Sequence, residues 1–335
     1  MNGHFSIIGC EHPHIQMFIL DMIKLGHTCT GIYEPRNHEL AGSISKEFSI
    51  PLVTDIEACL GPSVEFVGSA AINNEKIDII EKCEQRGKHI LIDKPAVTDP
   101  IGLERLEKVI RREKIQIGMM LTSRFSRSLQ SLKDKIESGE LGEIVHIAIQ
   151  KPHRLNPLTR PQWHFSRKQC GSIIIDLLVH DFDLLRWLTG KELKTCQGFA
   201  VKRILPEYPD FFDMASIQVL MEGNIVGNLY ADWHTPDKSW SWGDSRIFVV
   251  GTKGKAEVRQ SGDPLVSRDE LLLVVSHNKK LESCTLKLVQ GNLTEDFIAR
   301  ARGTSSISMI SHKDILKASA ATIEADRSAL YLVES

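Results

Sequence analysis

The chain has 335 residues, of which 42% are hydrophobic and 25% charged, with a formal net charge of -2. At roughly 150 residues per domain this length predicts two domains with sizeable cores, and the near-neutral balance excludes a global pull toward nucleic acid or an anionic membrane. Seven scattered cysteines with no CxxC pair exclude a disulfide framework, and with no basic leader and no apolar run near 18 residues the expectation is a cytoplasmic chain without membrane span whose partners are small molecules or proteins.

In chain order, residues 5–9 read as a buried strand that turns through Cys10, Glu11 and His12 into a helix, with Pro13 in its first turn and Ile15, Phe18, Ile19, Met22 and Ile23 at helical spacing. Gly26 stops this helix. A strand over 28–34, a helix over 38–48, a short strand over 50–53 and a short helix capped by Asp55 follow. Next come a strand over 64–70, a helix capped by Asn73 or Asn74, a strand over 89–92, a helix after Pro100 and a strand over 115–121. This alternation predicts an α/β fold with a parallel, doubly wound sheet, whose ligands lie at the carboxyl ends of the strands.

Three strand ends carry informative residues. Gly9 opens the turn where a helix N-terminus would meet a pyrophosphate, Glu34 stands where a carboxylate accepts from ribose hydroxyls, and Lys94 ends a later strand. Laid on Gly9, the GxGxxG pattern reads Gly9, Glu11, His14, so a glutamate adds bulk and negative charge at the second glycine position. His4, His12 and His14 raise the thought of a metal, but no cysteine or carboxylate stands at ligand spacing and none is expected.

Beyond 121 the pattern changes. A helix over 128–137 closed by Gly139 leads to a strand over 143–150, then to a loop over 151–170 that holds Lys151, Arg154, Arg160, Arg167, Lys168, His153 and His164 without one acidic residue. Such a run is a solvated face or one that meets phosphates or a carboxylated substrate. Residues 171–190 read as one helix carrying Asp176 and His180 one turn apart, a carboxylate and an imidazole on one face. Strand candidates at 193–202, 215–221, 225–233, 246–250, 256–260, 271–276 and 284–289 have no helices between them, and helices over 294–302 and 313–330 close the chain. Trp233, Trp240 and Trp242 suit stacking on a sugar or nicotinamide, or packing at a sheet edge.

Several segments in this order carry a resemblance: KCEQRGKHILIDKP, SRFSRSLQSLKDKIESGELGEIVHI, GSIIIDLLVHDFDLLRWLTG, EDFIARARG and AATIEADRSA. Over nearly its whole length the chain resembles the Gfo/Idh/MocA oxidoreductases. The resemblance implies a Rossmann dinucleotide-binding domain over 1–121. It also implies an α/β domain over 122–335 with a large, mainly antiparallel open sheet for substrate binding and oligomerisation, as a homodimer or homotetramer. The implied activity moves a hydride between NAD(P) and a hydroxyl or carbonyl of a sugar, polyol or derivative. Lys94, Asp176 and His180 match the family's lysine, aspartate and histidine, which makes them the expected catalytic residues and, with Arg124 and Trp163, the expected substrate contacts. Gly9, Glu11, His12, Glu34, Arg36, Asn73, Asp93 and Lys94 are the expected cofactor contacts. Departures from the family pattern are Asp93 for the more usual glutamate, Lys76 where many members have histidine, and Glu11 and His14 in the turn. Glu34 favours NAD, whereas Arg36 would suit the 2′-phosphate of NADP. Two rival readings are a non-catalytic dinucleotide or sugar sensor of the same fold and a metal-dependent hydrolase or isomerase.

Overall fold

The structure is a computed structural model that describes residues 3–305 and 308–333. Two compact units divide the chain: Met1–Leu121 with Lys168–Gly171 and Gly291–Ala320, and Thr122–Arg167 with Ser172–Gln290 and Ala321–Ser335. The sequence reading drew one boundary after Leu121; the chain re-enters the first unit twice beyond it.

The first unit begins β1 His4–Cys10, α1 Ile15–Lys24, β2 Thr28–Tyr33, α2 His38–Phe48, β3 Leu52–Val53, β4 Val64–Ala70, α3 Lys76–Gln85, β5 His89–Ile92, α4 Pro100–Arg112 and β6 Ile117–Met119. Its six strands run parallel in the order β3-β2-β1-β4-β5-β6. The order reverses between β1 and β4, the switch point where a ligand crevice opens at the strand ends. Local capping follows the sequence at Asp55, Asn37 and Asp99, whose side chains accept from helix N–H groups. Two expectations fail. Pro13 lies ahead of α1, in a tight turn with Gln16 N–H on Pro13 O, and neither Asn73 nor Asn74 caps α3, whose N-cap is Glu75.

In the second unit lie α5 Arg127–Glu137 and β7 Ile144–Pro152; the short α6 Arg167–Cys170 is followed by α7 Ile173–Leu177, α8 Val179–Thr189, β8 Leu193–Lys202, β9 Met214–Met221, β10 Val226–Asp232, β11 Arg246–Gly251, β12 Gly254–Arg259, β13 Leu271–Ser276 and β14 Lys279–Ser283. After α9 Leu293–Ala301 and α10 His312–Ser328 the chain ends in β15 Leu330–Val333. The nine-stranded sheet has the order β14-β13-β12-β11-β7-β10-β9-β8-β15. It is mostly antiparallel, with β7–β10 and β8–β15 parallel. Its inner face buries Ile147, Ile149, Ile217, Val219, Leu229, Ile247 and Val258 with Leu129, Ile174, Phe182 and Leu185 of the helices. The alternate residues, among them Phe199, Gln218, Asn228 and Phe248, face away from that core.

Three elements differ from the sequence reading. The expected single helix over 171–190 breaks at Leu178, where φ -79° and ψ -4° unwind the backbone and Leu178 O accepts from both Asp181 and Phe182 N–H. The strand expected over 284–289 is instead β14: the turn at His277 and Asn278 pairs Ser276 with Lys279, so register and not hydrophobicity selects the exposed edge strand. Residues 286–287 leave the sheet and lie along α5, with Arg127 donating to their carbonyls and Lys287 N–H to Ser131 Oγ. The short β15, paired to β8, follows the expected last helix and had no counterpart in the sequence reading.

Helix α9 packs on the first sheet. An Asn292–Glu295 capping box starts it, Thr294 Oγ1 donates to Asp21 at 2.9 Å, and Phe297 meets the Phe66 ring at 5.8 Å. A Cβ on Gly118 would stand 2.8 Å from Phe297, so that strand position must be glycine for the helix to seat. Among the described residues no helix is long and apolar enough to cross a membrane.

Candidate active site

At the carboxyl end of β1, Gly9 has φ +88° and an added Cβ would lie 2.6 Å from that of Ala71. The left-handed backbone and the approach to β4 both require glycine. Glu34, just past β2, accepts from Cys10 N–H at 2.5 Å, Arg36 N–H at 2.8 Å and Asn37 N–H at 3.1 Å. Three N–H donors hold this buried carboxylate, and of its roughly four lone-pair positions about one is left for a hydroxyl. Glu11, in the second-glycine position, is buried, and Arg36 Nε donates to it at 3.1 Å while the rest of the guanidinium grips Glu75 at 2.6 and 2.9 Å. Hydrogen bonding to Glu75 in particular raises the Arg36 pKa further. Arg36 therefore stabilises the charge that Glu11 brings into the turn.

Asp93 and Lys94 follow β5. Asp93 N–H donates to Ser69 O at 2.8 Å, and Asp93 Oδ1 accepts from Lys94 N–H at 2.9 Å and lies 3.1 Å from His14 Nδ1. His12 Nδ1 lies 3.5 Å from the other carboxylate oxygen. Burial alone would raise the Asp93 pKa, but the charges of His14, Lys76 and His12 outweigh it and hold the carboxyl well below its ordinary value. Lys76, buried in α3, donates to Asn73 Oδ1 at 2.8 Å and to the Lys94 carbonyl at 3.1 Å, and Asn73 in turn donates to Cys170 O at 2.8 Å. Asn73 and Lys76 thus brace the backbone that presents Lys94. Sequence reading gave Lys76 no such duty.

In the second unit, Asp176 ends up on α7 and His180 on α8, either side of the Leu178 break, so the two do not lie on one continuous helix. A nitrogen of His164 comes within 4.8 Å of an Asp176 carboxylate oxygen, bringing the basic loop to this helix pair. His164 also packs edge-on to Trp233 at 5.2 Å, and Arg160 stacks over the same indole at 5.1 Å. Trp163 is buried beside His164, at 6.1 Å between ring centres. Trp242 stays exposed, with the Arg154 and Arg160 guanidinium groups 5.8 and 5.9 Å from its ring. Arg124, expected at the substrate, is instead buried in a bidentate pair with Asp183 of α8 at 2.8 and 2.5 Å. Lys151 reaches Asp181 at 3.2 Å, and burial pushes the Asp181 carboxyl up to about 6 although Lys151 opposes the shift. Asp181 and Asp183 escaped the sequence reading; their signal was the acidic DFD run directly after His180.

The chain is similar to known proteins in sequence and in fold. Residues 4–120 match the family described as an oxidoreductase family with an NAD-binding Rossmann fold, and residues 129–257 match the GFO/IDH/MocA C-terminal domain. The rhizopine catabolism protein MocA of Rhizobium meliloti is 30% identical over 252 residues, 72% of this chain and 68% of that protein. The myo-inositol 2-dehydrogenase of Thermotoga maritima is 26% identical over 202 residues, 58% of this chain and 56% of that one. Against the first three curated relatives the chain spans about half of their length, 55%, 56% and 52%. Among solved structures, levoglucosan dehydrogenase in complex with NADH superposes with a TM-score of 0.81 at 18% identity, covering 98% of this chain and 96% of that one, which shows the fold. With both of its domains matched in order, the chain belongs to the Gfo/Idh/MocA oxidoreductase family.

Proposed function

We propose that the protein is a nicotinamide-dependent dehydrogenase that interconverts a hydroxyl and a carbonyl of a sugar, polyol or sugar derivative. The observation that carries this reading is Lys94 held at the end of β5, its backbone fixed by Lys76 and Asp93, in a chain that keeps the family's Asp176 and His180. The Gly9 turn and the Glu34 carboxylate fit a dinucleotide. When bound, the nicotinamide supplies the hydride acceptor. His180 takes the hydroxyl proton, Asp176 orients the imidazole or the neighbouring hydroxyl, and Lys94 donates to the reacting oxygen. General acid–base help of this kind is worth about 10²–10⁴-fold. Relatives named inositol dehydrogenases direct attention to cyclic polyols.

NAD is the preferred cofactor. Arg36 already serves two carboxylates, Glu11 and Glu75, and the Glu34 side chain beside it accepts from the Arg36 N–H, an arrangement that disfavours a 2′-phosphate. The outer face of the nine-stranded sheet, with exposed Phe199 and Leu330 side by side, supports a homodimer or homotetramer, and seven free cysteines fit a reducing cytoplasm.

The test is turnover of a cyclic polyol and sugar panel with NAD and with NADP, for the wild type and for Lys94→Ala and His180→Ala. Each variant should stay folded and lose at least about 100-fold in kcat. Near-normal rates in either would sink its assignment, and NADH binding without turnover of any panel member would favour a sensor.

A further inference from the structure

One cluster in the first unit joins Asp93, which fixes the Lys94 backbone, to two histidines that the hydride chemistry leaves without a role. His12 and His14, in the turn after β1, and Asp93, after β5, each place a ligand-type atom within 4.8 Å of the others. His14 Nδ1 is 3.1 Å from Asp93 Oδ1, His12 Nδ1 is 3.5 Å from Asp93 Oδ2, and the imidazole centres are 4.0 Å apart. Ligands bound at 2.0–2.1 Å to a tetrahedral ion are separated by about 3.3–3.4 Å, and each imidazole nitrogen lies near that distance from one of the two carboxylate oxygens, so a small adjustment lets both share a cation with Asp93. His12 Nδ1 also accepts from His14 N–H at 3.3 Å, a long contact that a metal bound at Nδ1 would replace.

Sequence spacing concealed the set, because the carboxylate lies 79 residues from His14. Asp93 is 4% exposed and His14 49%, so the cluster has a closed side and a solvent side on which further ligands can bind. Two imidazoles with one carboxylate select a borderline transition ion over magnesium or calcium, which prefer oxygen. We propose that His12, His14 and Asp93 bind one divalent transition-metal ion of the zinc and cobalt class, whose open positions take phosphate oxygens of the dinucleotide. With Arg36 engaged by Glu11 and Glu75, the ion supplies the positive charge that a pyrophosphate meets in this turn. The phosphate part rests on the dinucleotide reading; the metal site does not.

The experiment uses the full chain, stripped with EDTA and titrated near neutral pH with zinc and with cobalt chloride, with cobalt followed by its visible absorption. One equivalent should bind per chain. His14→Gln and Asp93→Asn should each weaken it at least about tenfold, while His4→Ala, an exposed histidine outside the cluster, should leave it unchanged. NADH titrated by fluorescence should bind at least about tenfold more tightly with zinc than in EDTA. Absence of stoichiometric metal binding by the wild type overturns the site, as does undiminished binding in both variants. Equal NADH affinity with zinc and in EDTA overturns the phosphate part, and NADH binding by metal-free protein keeps the dinucleotide reading standing if the metal fails.

Discussion

Asp181 follows His180 and is wholly buried; Lys151 reaches one oxygen, and among the described residues no donor reaches the other. Burial raises its pKa to about 6, so the folded chain holds this proton more tightly than the unfolded chain does. The stability it confers is complete below the ordinary carboxylate range and is lost as pH rises through about 6. Relative to Asp181→Asn, which does not titrate there, wild-type stability in urea should fall between pH ~4 and ~7 by at most about 3 kcal/mol. A difference that stays flat across that range would mean that Asp181 is ionised throughout. Little of this was legible: Gly9, Glu34 and Lys94 could be placed at strand ends because strand ends are local, but what faces Asp181 or Asp93 depends on chain tens of residues away.

At the scale of elements, α8 is fixed by Arg124, whose guanidinium meets Asp183 in a bidentate, fully buried pair. Arg124→Ala takes the guanidinium away from the buried Asp183 carboxylate and should cost about 3–5 kcal/mol, read from the denaturant midpoint. The double substitution Arg124→Met with Asp183→Leu should recover most of that loss, since an apolar pair needs no desolvation. A double variant no more stable than Arg124→Ala would refute this account. Helix and strand positions followed from periodicity in most of the chain. The break at Leu178 did not, because a leucine with helical neighbours carries no breaker signal and the unwinding shows only in its ψ near zero. Nor did β14, whose residues are all exposed and chosen by a turn.

For the whole molecule, the outer face of the nine-stranded sheet is where assembly can be tested. Phe199, 49% exposed, pairs with Leu330, 61% exposed, and Leu332 lies beside Val201 on the same face. Phe199→Glu puts a charge in that patch without touching the core, so light scattering should report a smaller particle than the wild type; an unchanged mass would place the subunit contact elsewhere. The resemblance anticipated this sheet, since strands without intervening helices can only close on one another, but not that α9 belongs to the other sheet.

That return has a consequence for biosynthesis. Thr294 and Phe297, which seat on Asp21 and Phe66, and His312, which accepts from Ile117 N–H at 2.9 Å, leave the ribosome after the entire 122–290 stretch. At roughly 5–20 residues per second, the parallel sheet waits on the order of ten seconds or more with one flank uncovered. The first third of this chain to be made is among the last to be finished.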